Sequence, residues 1–211
     1  MTQEPRHRVV FENAQFRILD VNIPAGDTTL DHSHDRDIAT VSMSSGADTR
    51  GQSPGQPWSP VRPRRPLGNA GVTEYAGKPG SHRIENVGAT PYQLFAVENL
   101  RPGNWSASAP LTAAGTTLAI EGRAFRVYDV RLVPTLSQTS HVHRAASIAV
   151  LVSGQAISEG AEGKPDAKPP MPVGLKQLVQ PGQWVFIPQG ESHHLVRFGV
   201  GDAHVVEIEL R

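Results

Sequence analysis

The apolar positions along the chain come in short runs: VVF at 9–11, SIAVLV at 147–152, WVFIP at 184–188 and VVEIEL at 205–210. Between them lie glycine, proline and small polar residues, 20 Gly and 18 Pro in 211 positions. Runs of three to six largely apolar residues bounded by turn formers are strand signals, and no long stretch shows the three-to-four-residue spacing of an amphipathic helix. The pattern predicts an all-β protein of the sandwich or barrel type.

Comparing the chain with itself decides the domain organisation. FRILDVNIPAGDTTLDHSH (16–34) aligns with FRVYDVRLVPTLSQTSHVH (125–143), setting Phe16, Asp20, His32 and His34 on Phe125, Asp129, His141 and His143 at an offset of 109. Further on, EYAGKPGSHRIENVG aligns with WVFIPQGESHHLVRFG and sets His82 on His193, an offset of 111 that persists to Glu98 and Glu209. Two copies of one β unit follow, expected over 1–107 and 108–211. Each carries a Gly/Pro-rich insertion, at 46–71 and 159–174, expected as a mobile or extended surface loop.

Six of the nine histidines occupy matched positions: His32, His34 and His82, then His141, His143 and His193. Residues i and i+2 of a strand share a face, so each HxH pair points two imidazoles into one space, where a third histidine from a neighbouring strand completes a triangle. Imidazole suits Fe, Ni, Cu and Zn, whereas all-oxygen sites suit Mg or Ca. With no cysteine in the chain, thiolate sites are excluded. The competing reading is ordinary buried histidines, or ligands inherited through duplication and no longer used.

These residues resemble the cupin family over nearly the whole chain, in its two-domain bicupin form. The family's first motif is G(x)5HxH(x)3-4E(x)6G and its second G(x)5PxG(x)2H(x)3N. GQWVFIPQGESH meets the second through Gly182, Pro188, Gly190 and His193, with Arg197 in place of the asparagine. The first copy keeps Gly71, His82 and Asn86 but has Gly77 and Pro79 at the proline and glycine positions; GDTTLDHSH keeps Gly26, His32 and His34, where the second copy has Thr135 for the glycine. The glutamate is missing from both copies. Ser147 stands at its place in the second, Ile38 or Ala39 in the first, with Asp37 reaching a site only through a strand slip or bulge.

The resemblance implies two tandem jelly-roll barrels and a divalent transition metal, iron first, with nickel, manganese or zinc as alternatives. Three neutral imidazoles leave such an ion its full double charge. Related cupins that hold Fe(II) on three histidines are dioxygenases, so a dioxygenase-like enzyme on a small organic acid or diketone-like substrate is the leading expectation. A non-catalytic ligand-binding or structural bicupin, and a metal-dependent isomerase or lyase, stay open beside it. Association as a homodimer through sheet edges is a further implication.

Among the remaining residues, His204 shares strand phase with Val206 and Ile208 and is the candidate general base, while His194, pointing away from His193, takes an outer role. Glu98 and Glu209 are out of phase with the apolar residues and are expected to face solvent. Arg17 and Arg126 are expected in salt bridges with the repeated aspartates. The formal charge is zero, 20 Lys+Arg against 20 Asp+Glu, which supplies no field for nucleic acid or anionic lipid. No apolar stretch approaches the roughly 18 residues of a membrane helix, and no signal-peptide core opens the chain. A cytoplasmic protein with a small-molecule partner is expected.

Overall fold

A computed structural model describes residues 4–63, 65–101, 108–136, 138–160 and 177–211. Among them there is no helix, and seventeen strands form four sheets. The chain divides into two compact units, Met1–Gly103 and Asn104–Arg211. The boundary expected at 107/108 falls at the edge of residues 102–107, and the second insertion mostly within 161–176, both outside the described residues.

In the first unit, β1 (His7–Glu12), β2 (Phe16–Ile23), β4 (Ile38–Ser42), β6 (Ala70–Thr73) and β8 (Tyr92–Asn99) form a five-stranded antiparallel sheet in the order β1-β2-β8-β4-β6. A smaller sheet is ordered β3 (His32–His34), β7 (Gly80–Asn86), β5 (Thr49–Gln52). The core joins the two: Leu19, Val21, Ile23, Ile38 and Ala96 of the larger sheet pack with Ile84 of the smaller. Part of the insertion at 46–71 is therefore sheet: β5 pairs with β7, and Arg62 bridges back to Thr49.

The second unit repeats the plan. Its larger sheet runs β15 (Trp184–Ile187), β12 (Ser147–Ser153), β17 (Ala203–Leu210), β10 (Phe125–Leu132), β9 (Thr116–Glu121). Its smaller sheet runs β11 (His141–Val142), β16 (Ser192–Arg197), β13 (Ala156–Gly160), β14 (Gln177–Leu178). Leu132, Leu151 and Val205 on the first meet Leu178 and Leu195 on the second. Both copies pin the turn after the third histidine alike. Asn86 donates to the carbonyl of Thr90 at 2.8 Å, and Arg197, in the asparagine's place, donates to the matched carbonyl of Gly201 at 3.0 Å. Gly154 ends β12 with φ 75°, and a Cβ there would run into the Asp202 carbonyl oxygen, so both conformation and space demand glycine.

Strand phase is where the expectation fails. All eight residues of β17 are buried, and those on the face of the core cluster are Ala203 and Val205. Alternation carries that face on to Glu207 and Glu209, and puts His204, Val206 and Ile208 on the other. Glu209 is 3 % exposed and its counterpart Glu98 1 %, so neither faces solvent. An antiparallel strand normally shows its solvated face by its polar residues; a strand buried on both faces carries no such mark.

Candidate metal centres

In the second unit β11 and β16 pair so that His141 lies directly opposite His193, and His143 follows two residues on. The ring centroids lie 4.3 Å (His141–His193), 5.1 Å (His141–His143) and 5.1 Å (His143–His193) apart. From the larger sheet Glu207 completes the group, and one ligand atom from each of the four lies within 4.8 Å of all the others. Its carboxylate oxygens stand 3.5 Å from His143 Nε2 and 3.9 Å from both His141 Nε2 and His193 Nε2.

The outer nitrogens of two rings are fixed. His141 Nδ1–H donates to the Thr139 carbonyl at 3.0 Å, and His143 Nδ1–H to Glu209 Oε2 at 3.1 Å. Glu209 is in turn held by Arg126 Nη1 at 3.8 Å. A ring that donates through Nδ1 turns the Nε2 lone pair inward, the arrangement that orients histidine on a metal. All three Nε2 atoms and both Glu207 oxygens are buried without a hydrogen-bond partner. Each such orphan costs about 1–3 kcal/mol, and three imidazoles with one carboxylate are a donor set that a divalent transition metal satisfies.

The metal-free electrostatics fit this grouping. Burial disfavours a charged His143, but Glu207 and Glu209 outweigh it and raise the ring to about 9. His193 is driven down to about 4, by burial first and by the neighbouring histidines, against the pull of Glu207. Burial alone would raise the Glu207 carboxyl, yet His143 and the other rings hold it below its ordinary value.

The first unit builds the same triangle without the acid. His32 lies opposite His82 in the β3–β7 register, and the centroids of His32, His34 and His82 are 4.7–5.0 Å apart. His32 Nδ1–H donates to the Leu30 carbonyl at 2.9 Å, the counterpart of the His141 bond. At the place of Glu207 stands Ala96: it pairs with Thr40 and Leu19, as Glu207 pairs with the matched Ala149 and Tyr128. Burial, then the neighbouring rings, lowers His34 to about 3, and burial with His32 and Arg62 lowers His82 to about 4. Tyr75 stacks on His34 at 4.7 Å. A seventh histidine, His7 of β1, sits 4.6 Å from His32 with its Nδ1 buried and unpartnered.

Several expectations change. His204 is no neighbour of the cluster; its Nε2 bonds Asp129 Oδ1 at 2.5 Å on the other face of β17, which removes it as general base. Asp37 stays out of the first centre, its Oδ1 accepting from the Ala76 amide at 2.7 Å. Arg17 and Arg126 bind repeated glutamates rather than aspartates: Arg17 reaches Glu12 and Glu98, Arg126 reaches Glu121 and Glu209. His194 does point away from His193, to Ser140 Oγ and Glu159 Oε2, each at 3.4 Å. Ser147 contributes no ligand, since its Oγ bonds the Ala145 carbonyl. Glu207 was missed in the sequence, although an acid inside the apolar run VVEIEL, opposite alanine in the other copy, was a usable signal.

Two successive jelly-roll units, each with a histidine triangle between its sheets, define the fold of a two-domain cupin. Solved structures agree. The chain is similar to AerE from Microcystis aeruginosa (13 % identity, TM-score 0.63, covering 99 % of this chain and 98 % of that one). It is also similar to Lactobacillus farciminis oxalate decarboxylase in its formate complex (11 %, 0.64, 94 % and 78 %) and to a cupin 2 conserved barrel domain protein from Leptotrichia buccalis (8 %, 0.56, 97 % and 88 %). No family model and no curated protein matches the sequence.

Proposed function

We propose that the chain is a metal-dependent bicupin enzyme acting on a small organic acid, with a divalent transition metal held in the second unit by His141, His143, His193 and Glu207. The observation that carries this reading is the convergence of four buried groups within 4.8 Å, their facing Nε2 and carboxylate oxygen atoms without a hydrogen-bond partner. Bound there, iron or manganese supplies Lewis acidity and one-electron reactivity toward dioxygen. Thr139 and the Arg126–Glu209 pair keep the imidazoles in the tautomer and orientation that ligation needs. Glu207 lowers the charge of the centre by one relative to the three-histidine site of the first unit. The dioxygenase-like reaction remains the leading reading. Decarboxylation is the second, favoured by the likeness in fold to oxalate decarboxylases, one of them from Bacillus subtilis with Mn(II) centres.

Metal analysis of protein purified without an affinity tag, followed by reconstitution with Fe(II) or Mn(II), tests the proposal. About one equivalent of metal bound through the second unit, lost in His141→Ala and His193→Ala, is expected. Oxygen uptake with a small acid supports the first reaction, and carbon dioxide release without net oxygen uptake the second. Failure of either metal to bind a folded protein sinks both.

A further inference from the structure

Beside the first histidine triangle lies a cavity of about 410 Å³ whose walls include Ser53, Gln56, Ser59, Tyr75, His82 and Arg62. A second, of about 110 Å³, shares Arg62 and adds His7, Arg65 and Tyr92. Neither is lined by an acidic side chain. The nearby arginines of the smaller sheet are engaged: Arg50 with Glu85 at 2.5 Å, Arg83 with Gln52 at 2.7 Å, and both over the ring of Trp58. Arg62 has no such partner among the described residues. Its backbone is nevertheless fixed, bonded to Thr49 of β5 in both directions at 2.7 and 3.1 Å.

We infer that this cavity binds a small carboxylate, with Arg62 as its anchor and His82, the member of the triangle that lines the cavity, as its second contact. Arg62 stands exposed on the cavity wall, which carries no acidic side chain, and its guanidinium has the planar fork that matches a carboxylate. Ala96, at the position of Glu207, leaves the triangle without a carboxylate of its own. The inference rests on the organic-acid reading above and adds to it a carboxylate site in the first unit; it does not depend on the metal of the second unit.

The test is a calorimetric titration of the full chain with acetate, malonate and benzoate, each beside its neutral amide, on metal-free protein and on protein reloaded with zinc. At least one carboxylate should bind while its amide does not. Arg62→Gln should weaken that binding about 10–100-fold, the range of a charge-assisted hydrogen-bond pair, and Arg62→Lys should restore part of it. Arg8→Gln, which removes only an exposed ion pair with Asp20, should change nothing. Equal binding by wild type and a folded Arg62→Gln, or no carboxylate binding to either form, overturns the inference. Failure to load zinc counts against the metal reading alone, since Arg62-dependent binding to the metal-free protein stands apart from it.

Discussion

Replacing Glu207 by glutamine takes one negative charge from the second centre and almost no volume. The carboxylate is fully buried, 3.5 Å from His143 Nε2 and 3.9 Å from the Nε2 atoms of His141 and His193. At an effective dielectric constant of about 20, unit charges 3.5 Å apart attract by about 5 kcal/mol before desolvation is counted. Breaking one side of a buried charge pair costs about 3–5 kcal/mol in practice, and at about 1.4 kcal/mol per decade this is a loss of about 100- to 4000-fold in metal affinity. Competition between the protein and a chromophoric chelator for zinc measures it. Glu207→Gln should weaken one class of site by that factor and leave the other unchanged, while His82→Ala should do the reverse. If a natively folded Glu207→Gln binds zinc as tightly as wild type at both sites, the carboxylate is not a ligand and the asymmetry between the units has another meaning.

The converse substitution, Ala96→Glu, should raise zinc affinity in the first unit by at least 10-fold, read by the same competition with a thermal melt to confirm folding, because it adds the acid the triangle lacks. Asn86→Ala should destabilise the protein by about 2–4 kcal/mol in urea titration, since Asn86 is fully buried and donates to the carbonyls of Ile23, Pro24 and Thr90 while accepting from Gly88. In metal-free protein, His34 at about 3 and His82 and His193 at about 4 are kept neutral while the unfolded chain protonates near 6.5. Their contribution is complete above about 6.5 and is lost as the pH falls toward 4; His143, raised to about 9, works the other way and loses its contribution as the pH rises from 6.5 through 9. Urea denaturation of chelator-treated protein across pH 4–10 should therefore show stability falling on both sides of a maximum near pH 6–7, and a flat profile refutes the assignment.

The duplication made much of this protein readable. Matched HxH pairs fixed the pairing of His32 and His34 with His82, and of His141 and His143 with His193, because a two-residue strand period and a constant offset leave little freedom. The acid was not readable in the same way. Ser147 occupies the position where the motif carries its glutamate, and the carboxylate arrives instead from β17, more than sixty residues from His143 along the chain, through a register that places Glu207 opposite Ala149 and Tyr128. His7 likewise reaches His32 only through the β1–β2 pairing.

Strand type, repeat and histidine spacing are local properties, set by side-chain alternation and turn chemistry, and the amino-acid order alone determined them. Which face of β17 meets the core, and hence that Glu207 joins the histidines while His204 turns away to Asp129, was decided by the tertiary structure. A strand buried on both sides carries no polar mark of its orientation, and a one-residue change of phase exchanges its two faces, so only packing against β10, β12 and the opposing sheet selects between them.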